Sequence, residues 1–170
     1  MLKKNYIPIA LSILMLLVVS YVLTEAKKPQ RWYSEAQVQT GQMLFENHCA
    51  SCHGLQAQGL VANWKQRDDN GLLPPPPLNG SPHAWHHAMP LLLEIVQQGG
   101  SLYDGNMPGF VDVLNTQEQL ATVAYFQSYW DDETYNLWQA DEKSAIQSLG
   151  AVSKIQNKQS KQEVQIDVDS

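Results

Sequence analysis

The chain has only two cysteines in 170 residues, Cys49 and Cys52. A scaffold stapled by several disulfides is therefore excluded. Basic side chains are scarce in the middle of the chain, where residues 32–130 hold two Lys/Arg against eight Asp/Glu. A block this acidic repels phosphate backbones and excludes nucleic acid as a partner. Charged residues are only 16% of the whole while hydrophobic residues are 44%, a balance that supports a folded core. No run of alternating apolar and polar residues marks a half-buried strand, and Pro74-Pro75-Pro76-Pro77 cannot belong to a central one. What remains is an all-α reading.

One long apolar run is present. Tyr6 to Thr24 is 19 residues without a charge, preceded by Lys3 and Lys4. As a helix it would be roughly 28 Å long, close to the hydrocarbon thickness of a bilayer. It exceeds the ~7–15-residue apolar stretch of a secretory signal. The best cleavage candidate, Thr24-Glu25-Ala26, has a charged middle residue. The expectation is an uncleaved N-terminal transmembrane helix and linker over 1–31, with a cleaved signal as the alternative. Orientation does not follow from charge, because Lys27, Lys28 and Arg31 nearly balance Lys3 and Lys4.

Three main helices are expected within a domain spanning 32–130. The first starts at Ser34, with Gln37 completing a capping box, and runs to about His48. The second starts near Pro90 and ends at Gly99-Gly100. The third opens at Thr116 with Gln119 as its capping partner and ends near Trp130. Residues 131–170 are expected to form an acidic helical extension followed by a disordered polar tail from about residue 150.

Cys49-Ala50-Ser51-Cys52-His53 is a C-x-x-C-H sequence, the attachment signature of c-type haem. Two thiols three residues apart can bond both vinyl groups along one side of a porphyrin, and the next residue then lies beneath the iron as an imidazole ligand. A thioredoxin-type redox pair would need a βαβ context that is missing. A structural zinc site would need four ligands, and no second cysteine pair exists. Among the methionines that could supply the opposite axial ligand, Met43 shares a segment with His53 and cannot easily cross to the other face. Met89 abuts the second helix, where packing is the simpler use of a large apolar side chain. Met107 stands in a loop, with Pro108 stiffening it, and is the better placed of the two.

These residues together resemble the class I c-type cytochromes, in the small bacterial monohaem type. Gly41, Phe45 and Cys49-Ala50-Ser51-Cys52-His53-Gly54 match the family's first helix and haem-binding turn; Pro76-Pro77-Leu78-Asn79-Gly80, Met107-Pro108 and Tyr125-Phe126-Gln127-Ser128-Tyr129-Trp130 match later segments. The resemblance covers about 34–130. It implies a cytochrome c-like bundle of three main helices around one covalently bound haem c, attached at Cys49 and Cys52, with His53 and Met107 as axial iron ligands. It further implies that Gly41 permits a close crossing of the first and last helices, with Phe45 packing near Val123, Ala124 and Tyr125. The carbonyl of Pro76 (or Pro77) should accept the Nδ1 hydrogen of His53. Two departures stand out: a 22-residue gap between His53 and Pro76 that holds Trp64, Lys65 and Arg67, and too few lysines for the docking ring of the mitochondrial members.

His83-Ala84-Trp85-His86-His87 places three histidines and a tryptophan in five residues. The simpler expectation is that Trp85 and one histidine bond a haem propionate; a copper or zinc site is the rival. Both axial positions being filled leaves no place for substrate, so the expected function is single-electron transfer between respiratory partners rather than catalysis. The resemblance implies the periplasmic face of a bacterial inner membrane as the setting, and the acidic domain predicts partners that present basic docking patches. The alternative is a haem c subunit stably docked in a larger oxidase, reductase or dehydrogenase, through Trp138 and the acidic tail.

Overall fold

A computed structural model of the chain describes residues 7–25, 29–81, 83–144, 146 and 147. Lys3, Lys4, Lys27, Lys28 and the polar tail from residue 150 lie outside these. The chain divides into two units, Met1–Arg31 and Trp32–Ser170. In the first, helix α1 (Ile7–Glu25) is apolar on every side, with no polar face to set against an apolar one. Among the described residues, no helix is long and apolar enough to cross a membrane.

The second unit is all-α among its described residues, with one isolated parallel bridge, Leu73 to Gly105. Helix α2 (Glu35–His48) opens on Ser34, whose Oγ accepts from Gln37 N while Gln37 Oε1 accepts from Ser34 N at 2.9 Å. It runs into a single turn, α3 (Ala50–His53), that carries Cys52 and His53. Helix α4 (Met89–Gln98) and helix α5 (Thr116–Gln127) follow. The cap of α5 falls one residue before the expected one. Asn115 Oδ1 accepts from Gln117 N and Glu118 N, and Glu118 Oε2 accepts from Asn115 N at 2.8 Å. Gln119, expected to cap, is buried instead, donating to Leu114 O and accepting from Gln97 Nε2. An asparagine amide is a stronger N-cap than threonine, so the helix starts where the better acceptor stands.

Helices α2 and α5 cross at Gly41. A Cβ there would overlap the carbonyl of Ala121, so only hydrogen at this position lets the backbones meet. Phe45, one turn on, lies 5.2 Å from the ring of Tyr125 and shares its core cluster with Val123; Ala124 is buried as well.

Residue 130 is not a boundary in the packing. A further helix, α6, spans 132–144, and its Tyr135 and Trp138 are fully buried in the same core cluster as Phe45 and Val123. Tyr135 Oη accepts from Trp32 N at 2.9 Å, and Trp138 Nε1 donates to His87 O at 3.0 Å. This corrects the expectation that Trp138 serves an interface: its indole is used inside the chain. Trp32 Nε1 donates to Gln127 Oε1 and Trp130 Nε1 to Leu78 O, so the half-buried indole and the buried one each have an acceptor. From α6, Glu142 Oε2 accepts from Met89 N at 2.7 Å and supplies the first turn of α4 with the carboxylate its dipole favours. Glu142→Ala should destabilise the holoprotein by about 1 kcal/mol, or some 2–4 °C for a chain this long. An unchanged melting temperature would show that α6 adds nothing at that helix end.

Candidate haem-binding site

His53 is buried, with Phe45 against its ring at 6.4 Å. Its Nδ1 lies 2.9 Å from Pro76 O. A carbonyl can only accept, so Nδ1 carries the hydrogen and Nε2 keeps its lone pair. That tautomer is the one a metal needs, with the second nitrogen oriented by a backbone carbonyl. Burial lowers the imidazole pKa despite the Pro76 contact, so the ring is neutral at physiological pH. The two thiols are free; Cys49 is half-buried and Cys52 exposed. Burial, and then the neighbouring Cys52, push the Cys49 thiol up to about 11.

Beyond His53 lies a cavity of about 820 Å³, within the ~300–1,000 Å³ range of cofactor sites. Both cysteines, His53 and Met107 line it, and its walls are mainly apolar, with Leu92, Val96, Phe110 and Phe126 among them. Met107 is half-buried there. Pro76 lines the cavity too. Trp85 does not: its ring lies on His86 at 3.7 Å and packs toward the core. The reason is the short 3₁₀ turn Ala84–His86, whose three-residue period gives Ala84 and His87 the same face and turns Trp85 away. Met89 is not among the lining residues either; it packs against the core.

The loop that carries Met107 is fastened to the end of α4. Gly100 N donates to Met107 O at 3.0 Å, and Phe110 N donates to Val96 O at 2.9 Å. Gly99, at φ +87°, makes the approach possible: a Cβ there would stand 2.5 Å from Met107 O. The sequence signal at Gly99 is that of a helix stop, which is why its packing role was not visible.

The long gap between His53 and Pro76 becomes the opposite wall. Trp64, Asp68, Leu72 and Leu73 line the cavity. Leu73 N donates to Asp104 O at 2.8 Å, and Arg67 Nη2 reaches Asp104 Oδ2 at 2.7 Å, which ties this wall to the Met107 loop. Trp64 was missed from sequence; an aromatic in an otherwise polar, turn-rich stretch was the available sign.

An apolar slot of this size, lined by two thiols, a correctly oriented imidazole and a thioether, fits a covalently attached porphyrin. The family described as cytochrome c oxidase, cbb3-type, subunit III, matches residues 36–126. The chain belongs to that family. No curated protein and no solved structure matched it. As a member of the cbb3-type subunit III family it is a class I monohaem c-type cytochrome, and its cofactor is covalently bound haem c. The matched residues cover α2 to α5, so the last core helix, α6, lies beyond them.

Proposed function

We propose that this cytochrome carries single electrons between respiratory partners at the periplasmic face of a bacterial inner membrane, held there by the uncharged N-terminal segment. The observation that carries the reading is one apolar cavity lined by Cys49, Cys52, His53 and Met107. In the proposed site Cys49 and Cys52 would form the thioether links, and His53 and Met107 would supply the iron's protein ligands. The bound haem supplies an iron that cycles between ferric and ferrous states. The chain's own groups set that balance. Pro76 orients His53 and raises its basicity. The thioether of Met107 favours the ferrous form, and the apolar walls penalise the extra positive charge of the ferric form.

Support for the anchor is the uncharged run from Tyr6 to Thr24. Tethering confines the cytochrome to the membrane plane and raises its effective concentration near membrane-bound partners. The acidic block 32–130 favours partners with basic docking surfaces and salt-sensitive association. The family's description favours a second reading, a subunit held permanently in an oxidase complex. Solubilising native membranes in mild detergent separates the two: a carrier migrates alone, whereas a subunit co-purifies in fixed ratio with a catalytic chain.

The attachment is tested by mass. The chain made with intact maturation machinery should be heavier by one haem, and Cys49→Ser with Cys52→Ser should release all haem under denaturing extraction. The reduced protein should not bind carbon monoxide, because His53 and Met107 would both ligate the iron. A wild-type chain of apo mass, or ready binding of carbon monoxide, would remove the carrier reading.

A further inference from the structure

Among the described residues that line the cavity there is no lysine and no arginine. The porphyrin nevertheless brings ionised carboxylates, which are costly to bury unpaired. The lining side chains that can become cationic are His48, His53, His83 and His87. His53 is committed to Pro76. His48 adjoins Cys49 and sets its ring against Phe110, at the thiol end of the cavity. His83 and His87 stand apart as a pair. Their Nε2 atoms are 3.5 Å apart and their rings are perpendicular, and Trp64 backs His83 at 4.7 Å. The segment that carries them is braced by α6, through Trp138 on His87 O and Glu142 on Met89 N.

Resting on the haem c reading above, we propose that His83 and His87 share one proton, hold a porphyrin carboxylate with it, and bind that proton more tightly when the iron is reduced. One electron enters from the redox partner and the iron goes from ferric to ferrous. One proton from water forms an N–H bond on the imidazole pair, and the net charge of the site is unchanged. Coulomb attraction supplies the coupling, because an added electron favours a nearby cation in a low-dielectric cavity. The groups around the pair divide by sign. Lys65, beside Trp64, opposes a charge on His83, and His86, on the same turn, opposes one on both; of the carboxylates nearby, Asp68 lines the same cavity and Glu142 is bonded to Met89 N. Burial and then the neighbouring cationic side chains lower both imidazoles. A carboxylate facing them raises both again.

The sign follows. The proton makes reduction easier, so the potential falls as pH rises through the pair's titration. The reduction equilibrium should weaken about three- to tenfold across that window, or roughly 30–60 mV for one electron. Potentiometric titration of the full-length holoprotein at a series of pH values tests this. His83→Gln with His87→Gln should flatten the profile, whereas His86→Gln, whose ring lies on Trp85, should keep it. A double variant with an intact haem spectrum and the wild-type slope would overturn the assignment. Wild-type protein gives a second measure that needs no variant: the His83 and His87 ring resonances should titrate at higher pH in the ferrous form than in the ferric. Equal values in the two forms would overturn it as well. Either failure leaves the haem spectrum and the carrier reading intact, whereas a chain without covalent haem defeats that reading first.

Discussion

Met107→Leu lowers the reduction potential by on the order of 0.1–0.2 V, a fraction of the roughly 0.8 V that axial ligation spans. Leucine fills nearly the same volume and keeps the cavity wall apolar, so the change reports the sulfur rather than the packing. Losing the thioether withdraws the ligand that favours ferrous iron. The thioether-to-iron(III) charge-transfer absorption should vanish, and the reduced protein should gain carbon monoxide binding. Met89→Leu is the control, because Met89 packs against the core and does not line the cavity. A Met107→Leu protein with wild-type spectrum and potential would show that another group completes the iron's coordination. The position is well built for the role. Its loop is fixed by backbone hydrogen bonds from Gly100 to Met107 and from Phe110 to Val96, and is tied on the far side by Arg67 to Asp104. A ligand held this way loses little additional entropy when it binds.

Local signals were legible in the sequence, and long-range ones were not. Ser34 and Gln37 marked the start of α2 because a capping box is closed within four residues. Pro90 and Gly99-Gly100 bracketed α4 for the same kind of reason. The cap of α5 was misplaced by one residue because Asn115 and Thr116 both carry suitable oxygens, and only geometry chooses between them. The cavity's second wall was illegible: residues 60–73 have no periodicity, and their placement depends on Asp104, 37 positions beyond Arg67. Trp85 was misplaced for a related reason, since the facing of a side chain on a single 3₁₀ turn depends on where that turn begins. In α6 the acidic composition pointed to a solvated extension. The apolar signal was nevertheless there, in Tyr135 and Trp138 three residues apart on one helical face.

Gly41→Val should abolish accumulation of folded holoprotein, and Gly41→Ala should destabilise it by more than about 2 kcal/mol. Helix propensity alone argues the other way, since alanine in place of an interior glycine would stabilise α2 by about 1 kcal/mol. Overlap wins because the atom met is the Ala121 carbonyl, part of the α5 backbone rather than the end of a flexible side chain, with Tyr125 Cβ next at 3.0 Å. Relief requires α2 and α5 to move apart, and the consequence extends to the cavity. Helix α2 carries Phe45 and leads into Cys49, while α5 carries Phe126, all of which line it. Separation of the helices should therefore loosen the haem pocket as well as the core. Denaturant unfolding of the alanine variant, followed by both haem absorbance and far-ultraviolet dichroism, should show one transition at lower denaturant concentration. Thr40→Ala, on the exposed side of the same turn, should stay within about 0.5 kcal/mol of wild type. An alanine variant as stable as wild type would mean that the two helices can separate at little cost, contrary to a crossing in which backbone meets backbone.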